Sequence, residues 1–113
     1  MKIEHYSFGK IVIDRKTFTS DVIIYPDRID PSWWRREGHS LDPVDLVDVV
    51  AAKPEILIIG TGNSGMMVVP EMTLAFLGAK GLDVRVGRTG EAVDLFNEMQ
   101  GGKKVIAALH LTC

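Results

Sequence analysis

The sequence predicts an α/β fold: a single domain over residues 1–113 with a mixed, mostly parallel sheet, helices packed on it and an N-terminal antiparallel β extension. Three observations lead to this fold class. The apolar run 56–59 is typical of a strand buried on both faces. Strand and helix patterns alternate through the second half of the chain. The first third instead contains short β-branched segments separated by turns.

The N-terminal third is predicted to form strands. Ile11, Ile13 and segment 22–25 are β-branched or aromatic positions on either side of turn-forming residues. A further short strand is expected within 28–34. Segment 35–41 shows no clear period and is therefore predicted to be a loop.

Three helices are predicted from their end signals, and strands at 55–59, 82–86 and 103–111 alternate with the last two. Proline is favoured in the first helical turn, capping residues precede it, and glycine is favoured just past the end. These start and stop signals are Asp42-Pro43 with Pro54, Pro70 with Gly81, and Thr89 with Gly101-Gly102. Thr89 is expected to act as the N-cap of the third helix.

Composition excludes several classes of protein. The formal charge is -2 with a pI near 5.9, which argues against a nucleic-acid binder with a strongly basic face. The apolar runs are far too short for a membrane span, so no membrane partner is expected. Cys113 is the one cysteine, and no signal peptide is seen, which makes the cytoplasm the expected location.

The segment ILIIGTGNSG, residues 56–65, has the G-x-G-x-x-G spacing of a dinucleotide-binding loop. In such a loop the helix begins at the glycines, because its free N–H groups bind the pyrophosphate. Here four apolar residues, 66–69, separate the glycines from the helix start at Pro70. Asp83 also lies at the beginning of the next strand rather than at its end, where a ribose-binding acid is expected. We therefore predict a glycine turn and no cofactor.

The same turn nonetheless lies where α/β sheets bind ligands, outside the carboxyl ends of the strands. A crevice is expected between this turn and the start of the third helix, where Arg88 would attract an anion. The candidate ligand-binding residues are Gly60, Thr61, Gly62, Asn63, Arg88 and Thr89. The alternative is that Arg88 is only solvated and that Thr89 is only a cap.

The segment WWRREGH, residues 33–39, is the strongest indication of an interaction surface. Aromatic residues beside arginine are typical of binding hot spots. The candidate surface is Trp33, Trp34, Arg35 and Arg36, with one tryptophan facing inward and the other outward if they lie on a strand. The alternative is that both tryptophans cover the edge of the core.

No catalytic residue and no metal site are predicted. His110 and Cys113 could form a nucleophile–base pair, but residues three apart on a strand point to opposite faces. The aspartates Asp42, Asp45 and Asp48 follow a helical spacing and are expected to form a solvated face. No G-x-S-x-G, C-x-x-C, H-E-x-x-H or Walker sequence is present.

The chain resembles a small α/β family that includes the adipogenesis-associated domain protein, a mitochondrial complex I assembly factor and many uncharacterised bacterial and archaeal proteins. The residues that carry the resemblance are segment 54–62, segment 88–97 and the closing segment 105–113, whose His-x-Thr-Cys ending is closer to the adipogenesis-associated branch. The resemblance implies a compact mixed-sheet domain, no established catalytic residues, and roles in assembly or regulation.

Two functions follow as hypotheses. The first is a protein-interaction or assembly module without its own catalysis, whose partner is an unknown protein or a second copy of the chain. The second is a binder or enzyme for a small anionic metabolite, using the crevice at the strand ends near Gly60 and Gly87. The first is preferred, because no strong catalytic motif is present.

Overall fold

A computed structural model describes all 113 residues and confirms the predicted fold class. Two sheets carry the fold. The smaller one is antiparallel, in the order β1-β2-β3, and the larger one is mixed, in the order β5-β4-β8-β6-β7. The strands are β1 Ile3–Ser7, β2 Lys10–Ile13, β3 Lys16–Phe18, β4 Val22–Ile24, β5 Ile29–Asp30, β6 Ile56–Gly60, β7 Asp83–Gly87 and β8 Val105–Leu109.

Three strands of the larger sheet are parallel. β6 lies in the centre of this group, with β7 on one side and β8 on the other. β4 joins the outer side of β8 in the antiparallel direction, and β5 pairs antiparallel with β4. The N-terminal strands therefore divide: β1 to β3 form the separate sheet, while β4 and β5 extend the main one.

Three α-helices lie against the main sheet: α1 Val47–Ala51, α2 Glu71–Ala79 and α3 Thr89–Met99. A 3-10 helix, Pro43–Leu46, leads into α1, and the Asp42 side chain accepts a hydrogen bond from the Val44 N–H as predicted for a cap. Pro70 precedes α2, and Gly81 follows it with a φ of +83°.

Two details of the sequence prediction are corrected. The strand expected within 28–34 is only two residues long, because the Ser32 N–H turns back to the Asp30 carboxylate and Pro31 cannot donate to a ladder. Thr89 is not the cap of α3, since Arg88 occupies the N-cap position. The Arg88 N–H donates instead to Glu91.

The core has two halves, one on each face of the main sheet. β6 is buried along its whole length: Ile56 and Ile58 face the half that contains α3 and the smaller sheet, and Leu57 and Ile59 face the half that contains α1 and α2. Burial on both faces explains the unbroken apolar run in the sequence. The carboxyl ends of β6 and β8 lie side by side, next to the loop that enters β4. This region is the C-terminal end of the parallel strands.

Candidate functional site

The glycine turn after β6 is bonded directly to the start of α3. The Gly62 N–H donates to the Thr89 hydroxyl at 2.9 Å, and the Thr89 N–H donates to the Gly62 carbonyl at 3.1 Å. The Thr89 hydroxyl in turn donates to the His110 carbonyl at 2.5 Å. The side chain that the sequence indicates as a helix cap therefore joins three segments of the chain at the C-terminal end of the parallel strands.

The segment after β8 covers the glycine turn. The Asn63 N–H donates to the Thr112 carbonyl at 2.7 Å, and the Met66 N–H donates to the Cys113 main-chain oxygen at 2.8 Å. A Cβ on Gly62 would overlap the Cys113 main chain and lie 2.8 Å from the Thr112 oxygen, while the φ of Gly62 is +110°. Glycine is required there for both close approach and conformation.

These contacts change the expected crevice. Three main-chain donors that a phosphate-binding loop would offer are engaged within the chain. The Thr61 N–H donates to the Gly87 carbonyl at 2.9 Å, and the N–H groups of Gly62 and Asn63 are bonded as described above. Gly60, Thr61, Gly62 and Thr89 belong to this closed turn, whereas Asn63 and Arg88 are exposed. The ligand-binding role of the set stays a prediction that depends on these last two side chains.

A buried ionic cluster also lies at the C-terminal end of the parallel strands. Asp21 accepts hydrogen bonds from Arg35 Nη1 at 2.8 Å and from the Leu111 N–H at 2.7 Å. His110 Nδ1 lies 2.8 Å from the same carboxylate. The same Nδ1 lies 3.1 Å from Arg35 Nη2. The carboxylate can only accept and the guanidinium can only donate, so the ring forms one of these two hydrogen bonds in either tautomer.

The environment of Asp21 sets its charge. Burial alone would raise the pKa of this carboxyl, but hydrogen bonds from His110, the Leu111 main chain and Arg35 outweigh it and hold the pKa below its usual value. The carboxylate is therefore charged and shared between two side chains. Two nitrogens of the cluster, Arg35 Nε and His110 Nε2, are buried without a hydrogen-bond partner.

Sequence analysis missed Asp21. Its contact with His110 joins residues 89 positions apart and exists only because β4 pairs with β8. The one local indication is its place directly before the apolar strand β4. The same pairing separates His110 from Cys113: the histidine is buried in the cluster, whereas the cysteine is exposed.

The four residues of the candidate interaction surface divide into two buried and two exposed ones. Trp33 is buried, its Nε1 donates to the Asp45 carbonyl at 3.1 Å, and the Arg35 guanidinium lies 4.7 Å from the centre of its ring. Trp34 is 74% exposed, and Arg36 is also exposed. Trp33 and Arg35 are therefore structural anchors, and the interaction role of this segment stays a prediction that depends on Trp34 and Arg36.

Trp34 opens onto a groove of about 580 Å³ between the 33–36 segment and the 3-10 helix and α1. Val44 and Val47, which are 51% and 57% exposed, share this groove. Three apolar side chains on one surface are more than the single exposed apolar residues found on most proteins. The remaining lining residues are Ile23, Asp30, Ser32, Trp33, Arg36, Asp45 and Asp48.

The predicted solvated face of aspartates has a structural role as well. Asp42 caps the 3-10 helix, and the Asp45 carboxylate accepts from the Asp42 N–H at 2.9 Å and the Arg36 N–H at 3.1 Å. Asp45 therefore holds the segment after Trp34 against the 3-10 helix. Asp48 is exposed beside the groove, and its carboxylate makes no hydrogen bond within the chain.

The fold and these features define a small α/β domain whose glycine turn is closed by its own chain. The chain matches the family described as "Protein of unknown function (DUF498/DUF598)" over residues 3–110, and it belongs to that family. This confirms the expected small α/β family as far as its bacterial and archaeal members are concerned.

Solved structures agree over nearly the whole chain. A conserved hypothetical protein, PH1505 from Pyrococcus horikoshii OT3, is 33% identical, with all of both chains covered and a TM-score of 0.86. The Rpa2829 protein from Rhodopseudomonas palustris is 25% identical, with 96% of this chain and 81% of that one covered and a TM-score of 0.79. A Mth938-like domain from Bordetella pertussis shares the fold at 18% identity and a TM-score of 0.69, with 97% of this chain and 85% of that one covered.

None of the three α-helices has the length and apolar character needed to cross a membrane.

Proposed function

We propose that the protein is an interaction module that binds a partner protein through the groove beside Trp34, without catalysis of its own. The observation that carries the proposal is the 74% exposure of Trp34 next to two exposed valines. Tryptophan is enriched at binding hot spots, where a large side chain is covered by the partner. The resemblance to a family that includes an assembly factor adds support, since such factors act through protein contacts.

The backbone on both sides of Trp34 is held in place. Trp33 is anchored by its N–H, which donates to the Asp21 carbonyl at 2.8 Å, and by its ring. Arg35 is fixed by the ionic cluster, and the Arg36 N–H is bonded to Asp45. An exposed side chain on a fixed backbone loses little freedom when a partner covers it, which favours binding.

The groove indicates the chemistry of the partner. Asp30, Asp45 and Asp48 line it against a single guanidinium, that of Arg36. The Asp45 carboxylate is engaged by main-chain donors, but the Asp48 carboxylate makes no hydrogen bond within the chain. Charges at the rim of an interface guide partner choice. The partner segment is therefore expected to place an apolar side chain against Trp34 and a lysine or arginine near Asp48.

A random peptide display library panned on the purified protein tests this proposal. Selected peptides are expected to pair an aromatic or aliphatic residue with a basic one. Trp34→Ala is expected to weaken their binding by about 30-fold, the equivalent of a hot-spot loss of roughly 2 kcal/mol. Met72→Ala is the matched control, because Met72 is 67% exposed on α2 and does not line the groove. Peptides that bind both variants equally would overturn the proposal.

A further inference from the structure

The edge of the main sheet at β7 is open. β7 is the last strand in the order β5-β4-β8-β6-β7, so only one of its sides is paired. The Asp83 N–H and the Gly87 carbonyl bond to the β6 side. Because these groups alternate in direction along a strand, the N–H and carbonyl groups of Val84 and Val86 point away from the sheet. Such unpaired edge groups can pair with another strand.

The side chains of this edge carry opposite charges two residues apart. Arg85 Nε and Nη2 each lie 2.9 Å from an oxygen of Asp83, so carboxylate and guanidinium lie side by side along the strand. Both side chains are about half exposed. On the opposite face of the strand, Val86 is 47% exposed and Val84 packs on the α2 half of the core.

We propose that β7 pairs antiparallel with β7 of a second copy of the chain, with Val84 on the two-fold axis, so that the main sheet continues across the dimer. In this register each Asp83 lies opposite Arg85 of the second copy, and each Arg85 lies opposite Asp83 of the second copy. The four charges then alternate in sign, and the edge is complementary to itself. A two-fold contact of this kind closes the assembly at two copies.

The charges select this register over its neighbour. With Arg85 on the axis, Val84 and Val86 would exchange all their outward hydrogen bonds, but two guanidinium groups would face each other. Like charges directly opposite in an antiparallel pair are destabilising, and opposite charges are stabilising. With Val84 on the axis, Val84 exchanges two hydrogen bonds with Val84 of the second copy. Val86 then lies opposite Leu82 of the second copy.

The pairing also covers exposed apolar surface. Val86 gains a cross-strand neighbour on the face of the sheet that α2 covers. α2 packs against β7, and its Leu74 is 38% exposed. The two-fold axis brings the two copies of α2 to the same side of the joint sheet. Main-chain hydrogen bonds and this apolar contact supply affinity, while the exposed charges supply the register.

Sedimentation velocity over about a hundredfold range of protein concentration tests the proposal, because dimers dissociate on dilution. The unmodified chain is expected to shift from monomer to dimer. Val84→Pro is expected to remain monomeric at every concentration, since it removes the N–H on the axis. That N–H points away from β6, so the monomer fold is retained, which a melting curve checks.

Charge reversal supplies the second measurement. Arg85→Asp places like charges opposite each other and is expected to weaken the dimer at least about tenfold. The double exchange Asp83→Arg with Arg85→Asp restores the alternating charges and is expected to restore association. A monomeric unmodified chain would overturn the proposal. It would indicate that the charges of Asp83 and Arg85 protect the edge strand from pairing. A dimer that survives Val84→Pro but is lost in Trp34→Ala would also overturn it, and would assign self-association to the Trp34 groove.

Discussion

Replacement of Gly62 by alanine tests the account of the glycine turn. The φ of Gly62 is +110°, and the added Cβ would overlap the main chain of Cys113. An alanine forced into such a conformation costs about 1–3 kcal/mol. The covering segment must also move, which breaks the hydrogen bonds from Asn63 and Met66 at about 1 kcal/mol each. The free energy of unfolding should therefore fall by about 3–5 kcal/mol.

Gly81→Ala is the matched control for this prediction. Gly81 also has a positive φ, +83°, but a Cβ there meets no atom within 4 Å. It should lose only the conformational part, about 1–2 kcal/mol. Urea unfolding measures both variants against the unmodified protein. If Gly62→Ala is within about 0.5 kcal/mol of Gly81→Ala, the close approach of the covering segment does not explain the glycine.

Three further predictions concern the same C-terminal end of the parallel strands. Thr89→Val should lower the free energy of unfolding by about 2–4 kcal/mol in urea, because the Gly62 N–H and His110 carbonyl lose their partner, whereas Thr89→Ser should retain most of it. The pKa of Asp21 is lowered in the folded state, so its stabilisation is complete above about pH 4 and is lost as the pH falls through the folded pKa. Asp21→Asn should therefore flatten the acid side of a stability–pH curve, and an unchanged slope would contradict this. A thermal-shift panel of nucleotides and phosphorylated metabolites tests the alternative function: any specific shift should disappear in Arg88→Ala, and a shift that persists would exclude this side chain as the anion contact.

Local signals in the sequence were sufficient for most of the fold. Asp42-Pro43, Pro70 and Gly81 act through capping and backbone conformation, which depend only on nearby residues. The unbroken apolar composition of 56–59 likewise predicts the buried strand β6. These elements were therefore predicted to within one or two residues of their ends.

The site depends on contacts that local signals do not contain. Thr89 stands at a helix start, where threonine usually caps, yet its hydroxyl bonds to Gly62 and His110 from two other segments. The cluster of Asp21, Arg35 and His110 joins residues from three separate parts of the chain. Only the pairing of β4 with β8 brings them together.

The tryptophan pair shows both the strength and the limit of sequence reasoning. The motif left two arrangements open, one ring facing inward and one outward on a strand, or both rings covering the core. In the structure Trp33 is buried and Trp34 is exposed, and the pair lies outside any strand. Arginine next to tryptophan suggested an interface contact, but Arg35 is buried against Asp21 instead. Asp21 is distant in sequence but close in space, and it binds Arg35, whereas Arg36 is left exposed.

The binding of library-selected peptides to Trp34→Ala and to Met72→Ala is the most direct test of the proposed function. Both side chains are mostly exposed, at 74% and 67%, so neither replacement opens the core. Fluorescence anisotropy with a labelled peptide gives the two dissociation constants. If the groove beside Trp34 binds the partner, Trp34→Ala loses about 30-fold in affinity and Met72→Ala changes little. Equal affinity in both variants, or a larger loss for Met72→Ala, would contradict the proposed function.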